Sequence, residues 1–344
     1  MAGRRYLAYL CAGAVRCCAY ATLCLLFVHT DHAVSFLFPS SEKRSKPESL
    51  DHRLRELALG EMALPTEIVY DILGHCRDDA DTLRSCSLVS FAFAQLSQEL
   101  LFRSVVLEDK PWYVDGKGPS RRFQDLLMRS PHLAKHVRCL SIHTDAATED
   151  RPRWILSDSL LLDIVKQTRR LEGFSFVIRA SGTSFINWLA LPLPVREAIV
   201  VVLSMPTLAS LSIDGLYQIP TPLFNLCFAL EELSLSNFCL SSGKSEDYAE
   251  PALPATPRRP GGHRIRIKRL AIHHCQHHHK RLIQWFAESN CPFTLRLKSF
   301  DYSSDAQSGE STFAAIALKC APALGHLAYT APSYGVCMSV GARQ

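Results

Sequence analysis

The sequence contains none of the short motifs on which common parallel-sheet enzymes depend. No GxGxxG, GxxxxGK[ST] or GxSxG pattern occurs among its 344 residues. Dinucleotide-binding, phosphate-loop and α/β-hydrolase sites therefore have no sequence support. We expect no catalytic residue and no cofactor, and we interpret the chain as a non-enzymatic protein.

Paired cysteine motifs are also missing. The thirteen cysteines include no CxxC pair, and most lie inside apolar runs. A free thiol in such a run behaves as a small hydrophobic side chain, and an odd number of cysteines cannot pair completely. We therefore expect reduced thiols, which are typical of a cytoplasmic or nuclear protein.

The chain has no strong excess of charge of one sign. Its net charge is +5, and the basic residues are scattered instead of forming a stripe interleaved with aromatic residues. This distribution does not favour nucleic-acid binding. The apolar fraction of 47% and the charged fraction of 21% are typical of ordered globular proteins.

A long uninterrupted hydrophobic run is absent too. Residues 6–28 follow Arg4 and Arg5 and resemble a signal anchor, but Arg16 interrupts them and leaves a short apolar run at 17–28. A spanning helix needs about 20 apolar residues. Several interpretations stay open: a signal peptide or membrane anchor at residues 6–28, an extension outside the folded body, or a mispredicted start of the coding sequence. With the polar linker PSSEKRSKPESL, this extension accounts for residues 1–50.

Residues 51–108 have the pattern of a small helical module. Pro65 suits the first position of a helix, and Asp81 at the end of the bend RDDAD is expected to cap a second helix. Apolar residues recur at helical spacing in three segments: Ile68, Ile72 and Leu73, then Leu83 and Leu88, then Phe93, Leu96, Leu100 and Leu101. A core of this size is marginal. The module should therefore expose an apolar face to a partner.

Residues 62–107 resemble the F-box family, in the version common in fungal proteins. The resemblance rests on Leu64-Pro65, the Glu67-Ile68 and Ile72-Leu73 pairs, the string LRSCSLVS and the closing LFRSV. Where the family often has Trp after the central valine, this chain has Phe91 and Phe93. The resemblance implies binding to the Skp-family adaptor of a cullin-based ubiquitin ligase. The implied docking or supporting residues are Leu64, Pro65, Ile68, Ile72, Leu73, Leu83, Leu88 and Val89.

Residues 109–344 carry a repeated phrase in which one apolar residue is followed by others three and five positions later. Seven copies occur: Val137/Leu140/Ile142, Leu171/Phe174/Phe176, Leu208/Leu211/Ile213, Leu230/Leu233/Leu235, Ile267/Leu270/Ile272, Leu297/Phe300/Tyr302 and Leu324/Leu327/Tyr329. The last positions of each copy predict a short strand. Helices are predicted between copies at 157–170, 194–205, 279–289 and 311–320.

Strands that alternate with helices at this period resemble a leucine-rich-repeat solenoid. The Asn or Cys expected later in each repeat is mostly absent, although Asn237 and Cys275 lie near its place. Residues 240–264 are rich in Pro, Ser and Gly and predict a disordered loop. The sequence ends without a polar capping helix, so a truncated array is one expectation.

The segment HHCQHHHK at 273–280 has chelating spacing, since His273 and His277 would lie one helical turn apart. No acidic residue nearby could orient the ligands, so we interpret it as a solvated loop and expect no metal site. Burial accounts for Cys86, Cys227, Cys239 and Cys320, which we do not expect to act as nucleophiles.

Together these patterns predict an α/β fold with a short N-terminal helical F-box followed by an irregular leucine-rich-repeat-like solenoid. The implied function is that of a substrate-recognition subunit of an SCF-type ubiquitin ligase, with the adaptor on the helical module and a target protein on the repeats. The alternative is a non-catalytic repeat scaffold without ubiquitin-ligase coupling. Co-purification with the adaptor separates the two.

Overall fold

The computed structural model of the chain describes part of its length. The described residues are 66–108, 118–145, 154–179, 185–240, 264–274, 291–303, 324–330 and 337–341, with 282, 284–286, 288 and 316. All of them lie in one compact unit, Pro65–Gln344. The predicted extension and linker at 1–50, the interior of the loop at 240–264 and most of the histidine segment lie outside the described residues. Within the described ranges, no helix has the length and apolarity needed to cross a bilayer.

Three helices open the described region, as the sequence predicts for residues 51–108. They are α1 (Thr66–His75), α2 (Ala80–Cys86) and α3 (Phe91–Arg103). The expected cap at Asp81 is wrong, because α2 begins at Ala80. Asp79 is the residue before that start, and its carboxylate accepts the backbone N–H of Thr82 at 3.0 Å. Asp81 instead lies in the first turn of α2 and pairs with Arg84.

The helical module has its own small core. Its buried side chains are Val69, Leu73, Leu83 and Cys86, and Phe93, Leu96, Leu100 and Leu101 pack partly buried against them. On α1 the buried pair is Val69 and Leu73, one helical turn apart, whereas the predicted face began at Ile68. Ile68 lies one residue, or about 100°, round the helix from Val69, and its side chain is exposed.

Eleven strands are described. In chain order they are β1 (Ser104–Glu108), β2 (Cys139–Asp145), β3 (Gly173–Arg179), β4 (Ile186–Asn187), β5 (Ser210–Asp214), β6 (Leu216–Tyr217), β7 (Glu232–Ser236), β8 (Ile265–His273), β9 (Phe293–Ser303), β10 (His326–Thr330) and β11 (Cys337–Gly341). Nine of them form an open sheet in the order β1-β2-β3-β5-β7-β8-β9-β10-β11, and β4 pairs with β6. The sheet is parallel except for β11, which runs antiparallel to β10. The predicted α/β class is confirmed.

The seven predicted strands are confirmed, and their apolar residues align across the sheet. The second residues of the copies form one row of register partners, Leu140, Phe174, Leu211, Leu233, Leu270, Phe300 and Leu327. The third residues form the next row on the same side. In the row formed by the second residues, the side chains from Leu140 to Phe300 are at most 4% exposed. The repeated phrase therefore builds one continuous core under the sheet.

The sheet has one more copy of this phrase than we predicted. Val105 pairs with Leu140 and Leu107 with Ile142, so β1 stands in register with β2. Phe102, three residues before Val105, packs partly buried against the same core. The sequence predicts that Val105 to Leu107 turn β-like at the end of the helical module, but not that they form a copy of the repeat. Because α3 ends at Arg103 and β1 begins at Ser104, the module continues into the sheet without a linker.

Helices and 3-10 turns lie between the strands. The predicted helix at 194–205 is observed as α6 (Leu193–Leu203), after α4 (Pro119–Arg129) and α5 (Leu161–Gln167). α5 is shorter than the predicted 157–170. The Asp158 carboxylate accepts the N–H groups of Leu160 and Leu161 at its start, and the N–H and hydroxyl of Thr168 donate to the Ile164 carbonyl at its end. The predicted helices at 279–289 and 311–320 lie mostly outside the described residues.

Candidate protein-docking surface

The helical module separates the predicted docking residues into buried and exposed groups. Leu73 and Leu83 are at most 1% exposed and form its core. Ile68, Leu88 and Val89 are exposed, and Ile72 is half-buried. Leu64 and Pro65 lie outside the described residues. Leu73 and Leu83 are therefore in a position to support the surface, and Ile68, Leu88 and Val89 in a position to touch a partner.

Two aromatic side chains join the exposed group. Phe91, the first residue of α3, is 86% exposed, and Tyr70 is exposed on α1. We missed both as contact residues, although Phe91 stands near the place where the resembled family often has Trp. We define the docking residues as Ile68, Tyr70, Leu88, Val89 and Phe91.

The turn between α2 and α3, together with the first residue of α3, holds three of the docking residues on a well-bonded backbone. The N–H groups of Leu88 and Val89 donate to the carbonyls of Ser85 and Cys86, each at 3.1 Å. Ser90 caps α3 through its hydroxyl, which accepts the N–H of Phe93. Because the backbone groups are bonded locally, the side chains at 88, 89 and 91 are presented from a fixed frame, and a partner would order few backbone torsions on binding.

The exposure of these side chains is large for so small a module. Leu88 is 87% exposed, close to its state in an unfolded chain. Burying a Leu or Phe side chain contributes about 1.5–3 kcal/mol, so covering Leu88 and Phe91 would yield a substantial binding free energy. The arrangement suits a partner that presents an apolar groove.

The module is attached to the sheet region through α3. Phe102 and Val105 pack against the main core. The carbonyl of Arg103 accepts the N–H of Arg138 at 2.9 Å, and the Gln98 amide lies 3.4 Å from the His132 ring. These contacts fix one end of α3, while the docking residues at its other end and on α1 stay uncovered.

A second surface is the side of the sheet that faces away from the core. Its central row consists of register partners with small side chains, Ser141, Ser175, Ser212, Ser234 and Ala271. All of them are half-buried. Small side chains leave the strands accessible to a large partner, so this face can accommodate another protein.

Polar residues collect where the strands end. Asp214 accepts a hydrogen bond from the Asn237 amide at 2.9 Å, and His273 lies 4.0 Å from the Asp301 carboxylate. Gly215, Asn237 and His274 follow three of the strands in the left-handed region, with φ of 78°, 45° and 51°. The N–H of Asn237 donates to the His273 carbonyl. Asn237 therefore bonds to the strands on both sides of β7.

The candidates for metal or nucleophilic chemistry gain no support within the described ranges. There, no group of three His, Cys, Asp or Glu residues could hold a metal ion. Cys86 and Cys139 are free thiols. Burial raises the pKa of the Cys86 thiol, with smaller contributions from Cys76 and Asp79, and burial followed by Glu172 raises the pKa of Cys139. A raised pKa disfavours the reactive thiolate.

No protein-family model matches the chain, and no curated protein is significantly similar to it in sequence. The basis for a functional proposal is therefore the arrangement of the docking residues and the sheet.

Proposed function

We propose that this chain is a substrate-recognition subunit of an SCF-type ubiquitin ligase. In this proposal α1 to α3 are an F-box that binds a Skp-family adaptor and through it a cullin, and the strand-helix region is a leucine-rich-repeat-like solenoid that binds a target protein. The observation that carries the proposal is the exposure of Leu88 and Phe91, at 87% and 86%, on a module with a very small core.

Several features support the two-part arrangement. Within the nine-stranded sheet, each strand lies beside the strand that follows it in the chain; β4 and β6 form their own pair and are skipped. This is the order expected of stacked repeats. The small-residue row across β2 to β8 leaves one sheet face open for a target. The free thiols are compatible with the reducing environment of the cytoplasm or nucleus, where we place the protein.

In this function the chain breaks and forms no covalent bond. It holds a target next to a ubiquitin-charged enzyme on a shared scaffold, so that a slow bimolecular transfer takes place at a high effective concentration. The short connection between α3 and β1 matters here, because it fixes the distance between the adaptor site and the repeats.

The test is co-purification of the full chain with a Skp-family adaptor. The adaptor should bind the unmodified chain and be lost from the double variant Leu88→Ser, Phe91→Ser. A second variant, with Leu64→Ala, Pro65→Ala and Ile68→Ser, should lose it as well. The matched control is Leu189→Ser with Leu193→Ser, which changes two leucines of 42% and 44% exposure outside the module.

Absence of the adaptor from the unmodified chain would contradict the proposal and leave the plain repeat scaffold. Equal adaptor recovery from the control and the Leu88/Phe91 variant would place the adaptor somewhere other than on the docking residues. Thermal unfolding of each variant shows whether a loss of binding reflects a loss of folding.

A further inference from the structure

An open cleft of about 780 Å³ lies where β7, β8 and β9 begin. Its lining residues come from the segment before β7, from the start of β8 and from β9; they are Phe228, Ala229, Leu230, Glu231, Arg264, Ile265, Arg266, Lys268, Thr294 and Arg296. The docking residues do not contribute to it. The cleft is therefore a separate candidate site.

Positive charge dominates the cleft. Arg264, Arg266, Lys268 and Arg296 line it against the single carboxylate of Glu231. Lys268 pairs with that carboxylate, so Glu231 is already engaged. Among the described residues, no carboxylate lies within ion-pair distance of Arg266 or Arg296, and both side chains are exposed. Two guanidinium groups are thus available to an anionic ligand.

An irregularity in the sheet brings the cations together. Ile267 pairs with Leu295 and the next partners are Arg269 and Ser299, so the single residue Lys268 opposes residues 296–298. Such a bulge re-aims the side chains of the strand that carries the extra residues. Here Lys268 and Arg296, on either side of this irregularity, both line the cleft.

Among the described residues, one side of the start of β8 has no paired strand. Residues 265–267 pair with β9, but pairing with β7 begins only at Arg269, where the N–H groups of Lys268 and Arg269 both donate to the Glu231 carbonyl. The cleft opens before that point, between residues 228–231 and the start of β8. Phe228, 39% exposed, forms an apolar wall. An extended peptide fits beside a strand that lacks a neighbour.

We propose that this cleft binds an extended, Asp- and Glu-rich segment of the target protein. Carboxylates of that segment pair with Arg266 and Arg296, and an apolar side chain of the segment packs against Phe228. That the ligand is a target protein rests on the proposed function. The cleft adds that the bound segment of this target is acidic and extended. Complementary charge supplies specificity and a fast association rate.

The test uses a phage-displayed library of random nine-residue peptides, selected on the immobilised full chain. We expect the recovered peptides to be enriched in Asp and Glu relative to the input library. A recovered peptide, synthesised with a fluorescent label, should bind about tenfold or more weakly to the double variant Arg266→Glu, Arg296→Glu. The matched control, Arg129→Glu with Arg170→Glu, makes the same change of charge at exposed positions elsewhere and should bind as the unmodified chain does.

Recovered peptides without an acidic bias would overturn the inference, as would equal binding by the cleft and control variants. The chain also carries Glu246, Asp247 and Glu250 in the segment before Arg264. If replacing these three with Ser strengthens peptide binding severalfold, the ligand is this chain's own segment and the inference is wrong. Adaptor co-purification is measured on the same variants, so a failure of the cleft and a failure of the proposed function are separated.

Discussion

Phe91 and Phe93 lie two residues apart at the start of α3 and point to opposite environments. Phe91 is 86% exposed, whereas Phe93 packs against Leu73, Leu83 and their neighbours in the module core. Two residues correspond to about 200° of helical rotation, so the start of the helix at Phe91 dictates this division. One aromatic stabilises the module, and the other is free for a partner.

The phenylalanine pair yields a first prediction. Phe91→Ser should leave the free energy of unfolding within about 0.5 kcal/mol of the unmodified chain and weaken adaptor binding about tenfold or more. Phe93→Ser should destabilise the module by about 1–3 kcal/mol, because it removes packing from a small core. Urea unfolding and adaptor titration measure the two effects. An unchanged adaptor affinity in Phe91→Ser would exclude that side chain from the interface.

The repeat region was readable from sequence because its signal is dense. Each copy places apolar residues at fixed offsets, and burial of one sheet face enforces the same offsets in all seven copies. Strand β1 satisfies the same phrase through Phe102, Val105 and Leu107, and the sequence predicts β-like structure at 105–107, but these residues also match the end of the F-box pattern. The sequence interpretation places the segment in the helical module alone, whereas in the structure it joins the module to the sheet.

Other features could not be read from the sequence. On α1, both Ile68 and Val69 are apolar, and the packing of α2 and α3 against α1 decides which of them is buried. The two-residue strands β4 and β6 are too short to carry a period. The basic cleft depends on a bulge between β8 and β9. A bulge depends on how two strands pair, so it cannot be read from the sequence of either strand alone.

A second prediction concerns the start of α2. Asp79→Ala should reduce stability by about 1 kcal/mol, because the carboxylate accepts bonds from both the N–H and the hydroxyl of Thr82. Asp81→Ala removes an exposed pair with Arg84 and should cost less than about 0.5 kcal/mol. Hydrogen exchange of the α2 amides measures both changes locally. Equal effects of the two variants would contradict the assignment of Asp79 as the cap.

A third prediction concerns pH. Burial, followed by the nearby charge of Lys135, lowers the pKa of His136 from its ordinary value of 6.5, with Glu99 acting in the opposite direction. The unfolded chain then takes up a proton at a higher pH than the folded chain does. His136 therefore lowers stability progressively as the pH falls below about 6.5, and it has little effect above that range.

The comparison for His136 is with His136→Gln, which cannot become charged. Between pH 7.5 and 5.5, the unmodified chain should lose more stability in urea unfolding than the variant does. A variant that loses as much as the unmodified chain would show that other groups produce the acid sensitivity.

The last prediction uses two glycines with opposite surroundings. Gly215 follows β5 with a φ of 78°, and an added Cβ would lie 2.7 Å from Cβ of Ile178. Gly215→Ala therefore combines a strained backbone with a clash inside the main core, and we expect a loss of about 2 kcal/mol or more. Gly74 lies in α1 with nothing within 4 Å of an added Cβ, so Gly74→Ala should stabilise the chain by up to about 1 kcal/mol.

Both variants add the same methyl group. Stability changes of opposite sign would therefore reflect the backbone conformation and the space around each glycine. Thermal and urea unfolding of the two single variants and of the double variant measure the effects, which should be additive because the sites lie in different cores. A neutral Gly215→Ala would mean that the turn after β5 relaxes. In that case the contact with Ile178 would not fix the backbone at Gly215.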